Sequence, residues 1–102
     1  MSQERKIEVR IDKTDDPESK LKAALGRLSE DESKEDLLLK VDADNCGGVD
    51  QVDRIAKALV RLSQSHWCLV LWIRSNGLES VPESVWELAN LEELHLNNNK
   101  LK

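Results

Sequence analysis

Residues 68–101 read CLVLWIRSNGLESVPESVWELANLEELHLNNNKL, and they write one pattern twice. The second copy places Leu91, Leu94, Leu96, Asn99 and Leu101 at fixed offsets. Cys68, Leu71, Ile73, Asn76 and Leu78 stand at the same offsets 23 residues earlier. Leu71/Ile73 and Leu94/Leu96 alternate with other residues, so each pair points one way from a short strand. Asn76 and Asn99 follow where the chain turns out of that strand, and an amide side chain there can satisfy backbone groups. The linking segment supplies Val81, Pro82, Val85, Trp86, Leu88 and Leu91 as its apolar positions. One such unit cannot bury its apolar face alone, so units must stack.

Over residues 68–101 these offsets resemble the leucine-rich repeat family, whose signature L-x-x-L-x-L-x-x-N-x-L recurs at about 20–29 residues. The resemblance extends in weaker form over 37–67. There Asp44 stands where the signature wants Asn, and Cys46 replaces the following Leu. Thr14 and Asp16 fill those offsets in the first unit. The resemblance implies a parallel solenoid whose open sheet face is commonly a binding surface.

Upstream, residues 1–5 are polar and read as frayed. Ile7, Val9 and Ile11 alternate with Glu8, Arg10 and Asp12, which predicts a half-buried strand. Asp16 then caps a helix over 17–29, with Pro17 at its first position and Leu21, Ala24, Leu25 and Leu28 as the apolar stripe. Gly26 weakens it slightly. Residues 29–36 are nearly all polar and read as a loop. Leu37, Leu39 and Val41 restart the alternation, which Leu38 interrupts. Cys46-Gly47-Gly48 is a turn, and Asp50 caps a second helix with Val52, Ile55, Ala56, Leu59 and Leu62 facing the core. Ser63 to Ser65 close it, and Leu69 to Ile73 form the third strand.

The predicted fold class is α/β: one domain over 1–102, a small leucine-rich-repeat-like solenoid. It comprises a strand–helix capping unit at 6–36, a helix-bearing unit at 37–67 and the repeats at 68–102. Val9/Ile11, Leu39/Val41, Leu71/Ile73 and Leu94/Leu96 become equivalent, at spacings of 30, 32 and 23. Such spacings favour four parallel strands joined by crossovers, with two amphipathic helices and one short turn-like segment on the convex side.

Alternation then assigns an open face. Arg10, Lys40, Trp72 and His95 form one row. Asp12, Asp42, Arg74 and Asn97 form a second, and Glu8, Leu38, Val70 and Glu93 a third. Trp72 stands out among charges, because aromatics and Arg are the usual anchors of protein interfaces. The expected function is a non-enzymatic protein-interaction module binding through Arg10, Lys40, Asp42, Val70, Trp72, Arg74, Glu93, His95 and Asn97. The alternative at this face is that Trp72 is covered by the chain's own N-terminus or by a neighbouring side chain.

Residues 42–53, DADNCGGVDQVD, also resemble an EF-hand calcium loop, with Asp42, Asp44, Gly47, Asp50 and Asp53 at positions one, three, six, nine and twelve. Cys46 stands where an oxygen ligand belongs, and Asp53 replaces the bidentate Glu. Strand end, turn and helix cap are the better account of these residues, with a calcium-regulated domain as the rival. Cys46, His66, Cys68 and His95 lack metal-ligand spacing. No nucleophile, base and orienting group assemble, and no phosphate loop is present. No catalytic, cofactor or metal residue is therefore expected.

Fifteen basic and twenty acidic residues, net −5, are mixed along the chain and argue against a nucleic-acid footprint. No apolar run suits a membrane span, and the charged start MSQERKIEVR is unlike a signal peptide. Both point to the cytoplasm, with Cys46 and Cys68 as thiols, although a stacked fold could bring the two within reach of each other. The chain stops after Leu101 completes a repeat, which leaves Leu94, Leu96 and Leu101 at an uncapped end. An N-terminal fragment or cap of a longer repeat protein, with a purely structural role, self-association through this edge, and an end tolerated because it is small are all consistent with that.

Overall fold

The computed structural model of this chain describes residues 5–28, 36–64 and 66–101. Among them it forms a small α/β domain of four parallel strands and three helices. In chain order these are β1 (Arg5–Arg10), α1 (Pro17–Leu25), β2 (Leu37–Asp42), α2 (Val49–Leu62), β3 (Cys68–Trp72), α3 (Glu83–Trp86) and β4 (Leu91–His95). The strands lie in sequence order β1-β2-β3-β4, each pair parallel. Of the segment 1–5 expected to fray, Arg5 instead opens β1, because it pairs with Leu37, and of the loop expected at 29–36 only Asp36 is described, outside any helix or strand. Residues 1–4, 29–35, Ser65 and Lys102 lie outside the described residues.

Period-two alternation builds the core. Val9, Ile11, Leu37, Leu39, Val41, Ala43, Leu69, Leu71 and Ile73 are all buried on one side of the sheet. Leu21 of α1, Val52, Ile55, Ala56 and Leu59 of α2 and Val85 of α3 belong to the same cluster. Truncating a fully buried member such as Ile55 to Ala costs about 2–5 kcal/mol, since the cavity left behind collapses only in part. Trp67, just before β3, is also buried, 4 % exposed.

Helix α1 starts as its sequence dictates. Asp16 accepts the Ser19 N–H at 3.3 Å and the Ser19 hydroxyl at 2.5 Å, with Pro17 behind it. It ends at Leu25, shorter than the expected 17–29, and Gly26 is its C-cap rather than an interior residue. The cap expected from Asp50 does not form: α2 opens on Gly48 with no side-chain cap. Trp86, expected among the apolar positions of the linking segment, is 63 % exposed on α3.

The strand register corrects the expected equivalences. Val9 pairs with Val41, Val41 with Leu71 and Leu71 with Leu94, so the spacings are 32, 30 and 23. Val9/Ile11 and Leu71/Ile73 were each placed two residues out of step with Leu39/Val41. A two-residue slip keeps every side chain on its own face, so alternation is blind to it.

Three turns after the strands share one geometry. Asn45, Ser75 and Asn98 each adopt positive φ, at 51°, 60° and 65°. Each precedes the residue that enters or meets the amide ladder: Cys46, Asn76 and Asn99. The Asn76 Oδ1 accepts the Cys46 N–H at 2.7 Å, and the Asn99 Oδ1 accepts the Asn76 N–H at 2.9 Å. Cys46, not Asp44, therefore occupies the Asn position in the second unit, with its side chain fully buried. The turn after β1 closes differently: the Asp15 carboxylate accepts the Asp12 N–H, and Gln51 Nε2 donates to the carbonyls of Asp12 and Asp15.

Candidate interaction face

The face of the sheet opposite the helices carries the candidate residues in rows fixed by the observed register. Arg10, Asp42, Trp72 and His95 form one row, while Glu8, Lys40, Val70 and Glu93 form the next. The expected row Arg10–Lys40–Trp72–His95 is thus wrong at Lys40, and the other two expected rows are wrong in the same way at Asp42 and Leu38; the slip described above is the reason. Lys40 nevertheless reaches Trp72 diagonally.

Trp72 is the centre of this face. The Lys40 ammonium lies 4.0 Å from the indole centroid and the Arg74 guanidinium 4.3 Å. The His95 ring is tilted against it at 4.6 Å between centroids. Two cations and an imidazole therefore surround one half-buried indole. A cation over an aromatic face contributes about 0.5–1 kcal/mol where exposed and more when desolvated. Part of the expectation that Trp72 is covered by neighbouring side chains is met by these three residues. The Trp72 Nε1–H is buried and has no hydrogen-bond partner among the described residues. Such a donor left unpaired costs about 1–3 kcal/mol.

A carboxylate holds each of these groups. Arg74 donates from Nε and Nη2 to Asp44 Oδ2 at 2.9 and 2.6 Å, and the Arg74 backbone N–H donates to Asp44 Oδ1 at 2.7 Å. Burial alone would push the Asp44 carboxyl up, but the bonds from Arg74 outweigh it and hold that carboxyl below its usual range. Lys40 stands 3.6 Å from Glu8, and His95 Nε2 stands 3.6 Å from Glu93. Arg10 extends into solvent beside Asp12 at 3.8 Å. Val70 is buried at 7 % exposure, and Asn97 is exposed. Asp42 accepts the Asp44 N–H at 3.2 Å.

The acidic loop does not gather into a cage. Asp44 is taken by Arg74, and Asp53 accepts the Ser84 hydroxyl at 2.6 Å while pairing with Lys57 at 2.9 Å. Among the described residues no three of His, Cys, Asp and Glu come together in a way that could hold a metal ion. Cys46 and Cys68 form no disulfide. Burial pushes the Cys46 thiol up to about 11, so it stays protonated at neutral pH.

No family model, curated protein or solved structure matches this chain. No helix among the described residues is long and apolar enough to cross a membrane.

Two contributors went unread in the sequence. Gln51 lies on the α2 stripe one turn before Ile55, and a polar residue on a core-facing stripe was the available sign that it bonds inward. The partnership of Asp44 with Arg74, 30 residues apart, left no sign, because it arises only where strand ends adjoin.

Proposed function

We propose that this chain is a leucine-rich-repeat-like, non-enzymatic cytoplasmic module that binds a protein partner on the open sheet face, with Trp72 as the anchor. The observation that carries this reading is the environment of Trp72: a half-buried indole bracketed by Lys40, Arg74 and His95 on the sheet face that no helix covers. Rigid aromatics with Arg beside them dominate binding energy at protein interfaces. The repeat reading is supported by the recurring strand–turn–amide geometry at Cys46, Asn76 and Asn99.

The test uses the immobilised chain with W72A and W86A controls. A specific partner should bind wild type and W86A alike and lose about 30-fold or more in affinity to W72A, the size of a hot-spot truncation. Equal binding to all three would remove Trp72 from the reading.

A second reading is a structural cap for a longer repeat array. It is favoured by one observation: Leu94 and Leu96 are half-buried, whereas Leu71 and Ile73, their equivalents one strand earlier, are fully buried. Addition of a separate repeat segment should then raise stability without involving Trp72. The calcium alternative is disfavoured by the engagement of Asp44 with Arg74.

A further inference from the structure

The two outer strands of the sheet are opposite in charge. β1 (RKIEVR) carries three basic residues and one acidic, for +2, and β4 (LEELH) carries two acidic residues, for −2 with His95 neutral. Both edges also leave apolar side chains half covered: Ile7 on β1, and Leu94 and Leu96 at β4. An open cavity of about 230 Å³ at the β1 end is lined by the apolar Ile7, Ala24 and Leu28 together with three basic side chains, Arg5, Lys6 and Arg27, and the acidic Glu8. An edge strand presents unpaired N–H and C=O groups and is a template for another strand.

Backbone direction limits how such edges can meet. The Ile73 N–H donates to His95 O and the Ser75 N–H to Asn97 O, so His95 and Asn97 turn their backbone groups toward β3. By alternation, Leu94 and Leu96 turn theirs outward, although the Leu96 carbonyl already accepts one bond from Asn99 Nδ2. The Ile11 N–H donates to Asp42 O, so odd residues of β1 face β2 and Lys6, Glu8 and Arg10 face outward.

We propose that copies of this chain associate head to tail, β4 of one copy pairing in parallel with β1 of the next. The register sets Leu94 beside Ile7 and Leu96 beside Val9 on the helix side of the joined sheet. On the open side it sets Glu93 beside Lys6 and His95 beside Glu8. Every neighbouring pair then matches, apolar with apolar and acceptor with donor. Shifting the register by two residues, with Leu94 beside Val9, would put Glu93 beside Glu8, and like-charged neighbours destabilise a sheet. Joining two different edges is heterologous and does not close, so the product is a growing row rather than a fixed dimer. This proposal uses the sheet edges and does not rest on Trp72 as a binding anchor.

Light scattering over a concentration series at low salt tests it. The mass should climb from 11.6 kDa without reaching a plateau and fall back in high salt, where the edge charges are screened. K6E and E93K should each stay monomeric, and their equimolar mixture should associate again, because the two swapped charges face each other at one joint and the native pair at the next. W72A should associate as wild type does. Lys6 and Glu93 are both exposed, so neither substitution disturbs the core, and circular dichroism of each variant is the check that it folds. Three results overturn the proposal: a monomer at all concentrations, a dimer plateau that K6E leaves intact (the mark of two β4 edges meeting), or a mixture that stays monomeric.

Discussion

Asn99 holds the turn that contains Asn76. Its Oδ1 accepts the Asn76 N–H at 2.9 Å, and the same oxygen accepts the Leu78 N–H at 3.2 Å. Its Nδ2 donates to Ile73 O at 2.9 Å and Leu96 O at 2.7 Å, so one amide serves four backbone groups on two successive turns. Asn76 does the same one unit earlier with three bonds, to Cys46 N, Ala43 O and Arg74 O. Both ends of the amide are used, so neither a carboxylate nor an aliphatic side chain can replace it.

N99A should therefore lower stability by about 2–4 kcal/mol, since several part-buried backbone groups lose their partner at about 1–3 kcal/mol each. N99D should do little better, because its carboxylate cannot donate to Ile73 and Leu96. Urea unfolding checks both, and an N99A midpoint equal to wild type would show that water replaces the ladder without loss.

Acid should unfold the protein in part through Asp44. Its carboxyl titrates below its ordinary value in the folded chain, so its stabilisation is present in full above the unfolded value near 3.8 and disappears as pH falls through the folded value. Stability contributed by this group should be flat above about pH 5 and decline below about pH 4. D44N should be less stable than wild type at pH 7, with the gap narrowing in acid. A gap that stayed constant to pH 2 would mean that Arg74 does not act through the charge.

Trp72→Phe and Trp72→Ala should separate. Phe keeps a ring for Lys40 and Arg74 and removes the unpaired N–H, so its melting temperature should match or exceed that of wild type. Ala loses both cation contacts and should cost about 1–3 kcal/mol. Calorimetry distinguishes them, and a Phe variant as damaged as Ala would show that the indole N–H is satisfied in solution.

Cys46 should resist thiol reagents in the native state. Its side chain is fully buried, and burial holds the thiol at about 11. Alkylation at pH 7.5 followed by peptide mapping should leave Cys46 unmodified until denaturant is added. Rapid native modification would place it at the surface instead.

Much of the fold was legible from residue order, because a period of two determines which side chains face the helices. Val9, Leu39, Val41, Leu71 and Ile73 go to the core whichever register is chosen, and Asp16-Pro17 starts a helix from local chemistry alone. The amide turns at Asn76 and Asn99 are also local enough to read. The register was not, since a slip of two residues preserves every face and changes only neighbours. That slip displaced Lys40 from its row and hid Cys46 as the residue in the Asn position. The surroundings of Trp72 were likewise decided by tertiary structure. Lys40 lies 32 residues before it and His95 23 after it, and only the pairing of parallel strands brings them to one ring. Alternation is a property of each strand by itself, whereas contact across the sheet depends on how separate strands are aligned.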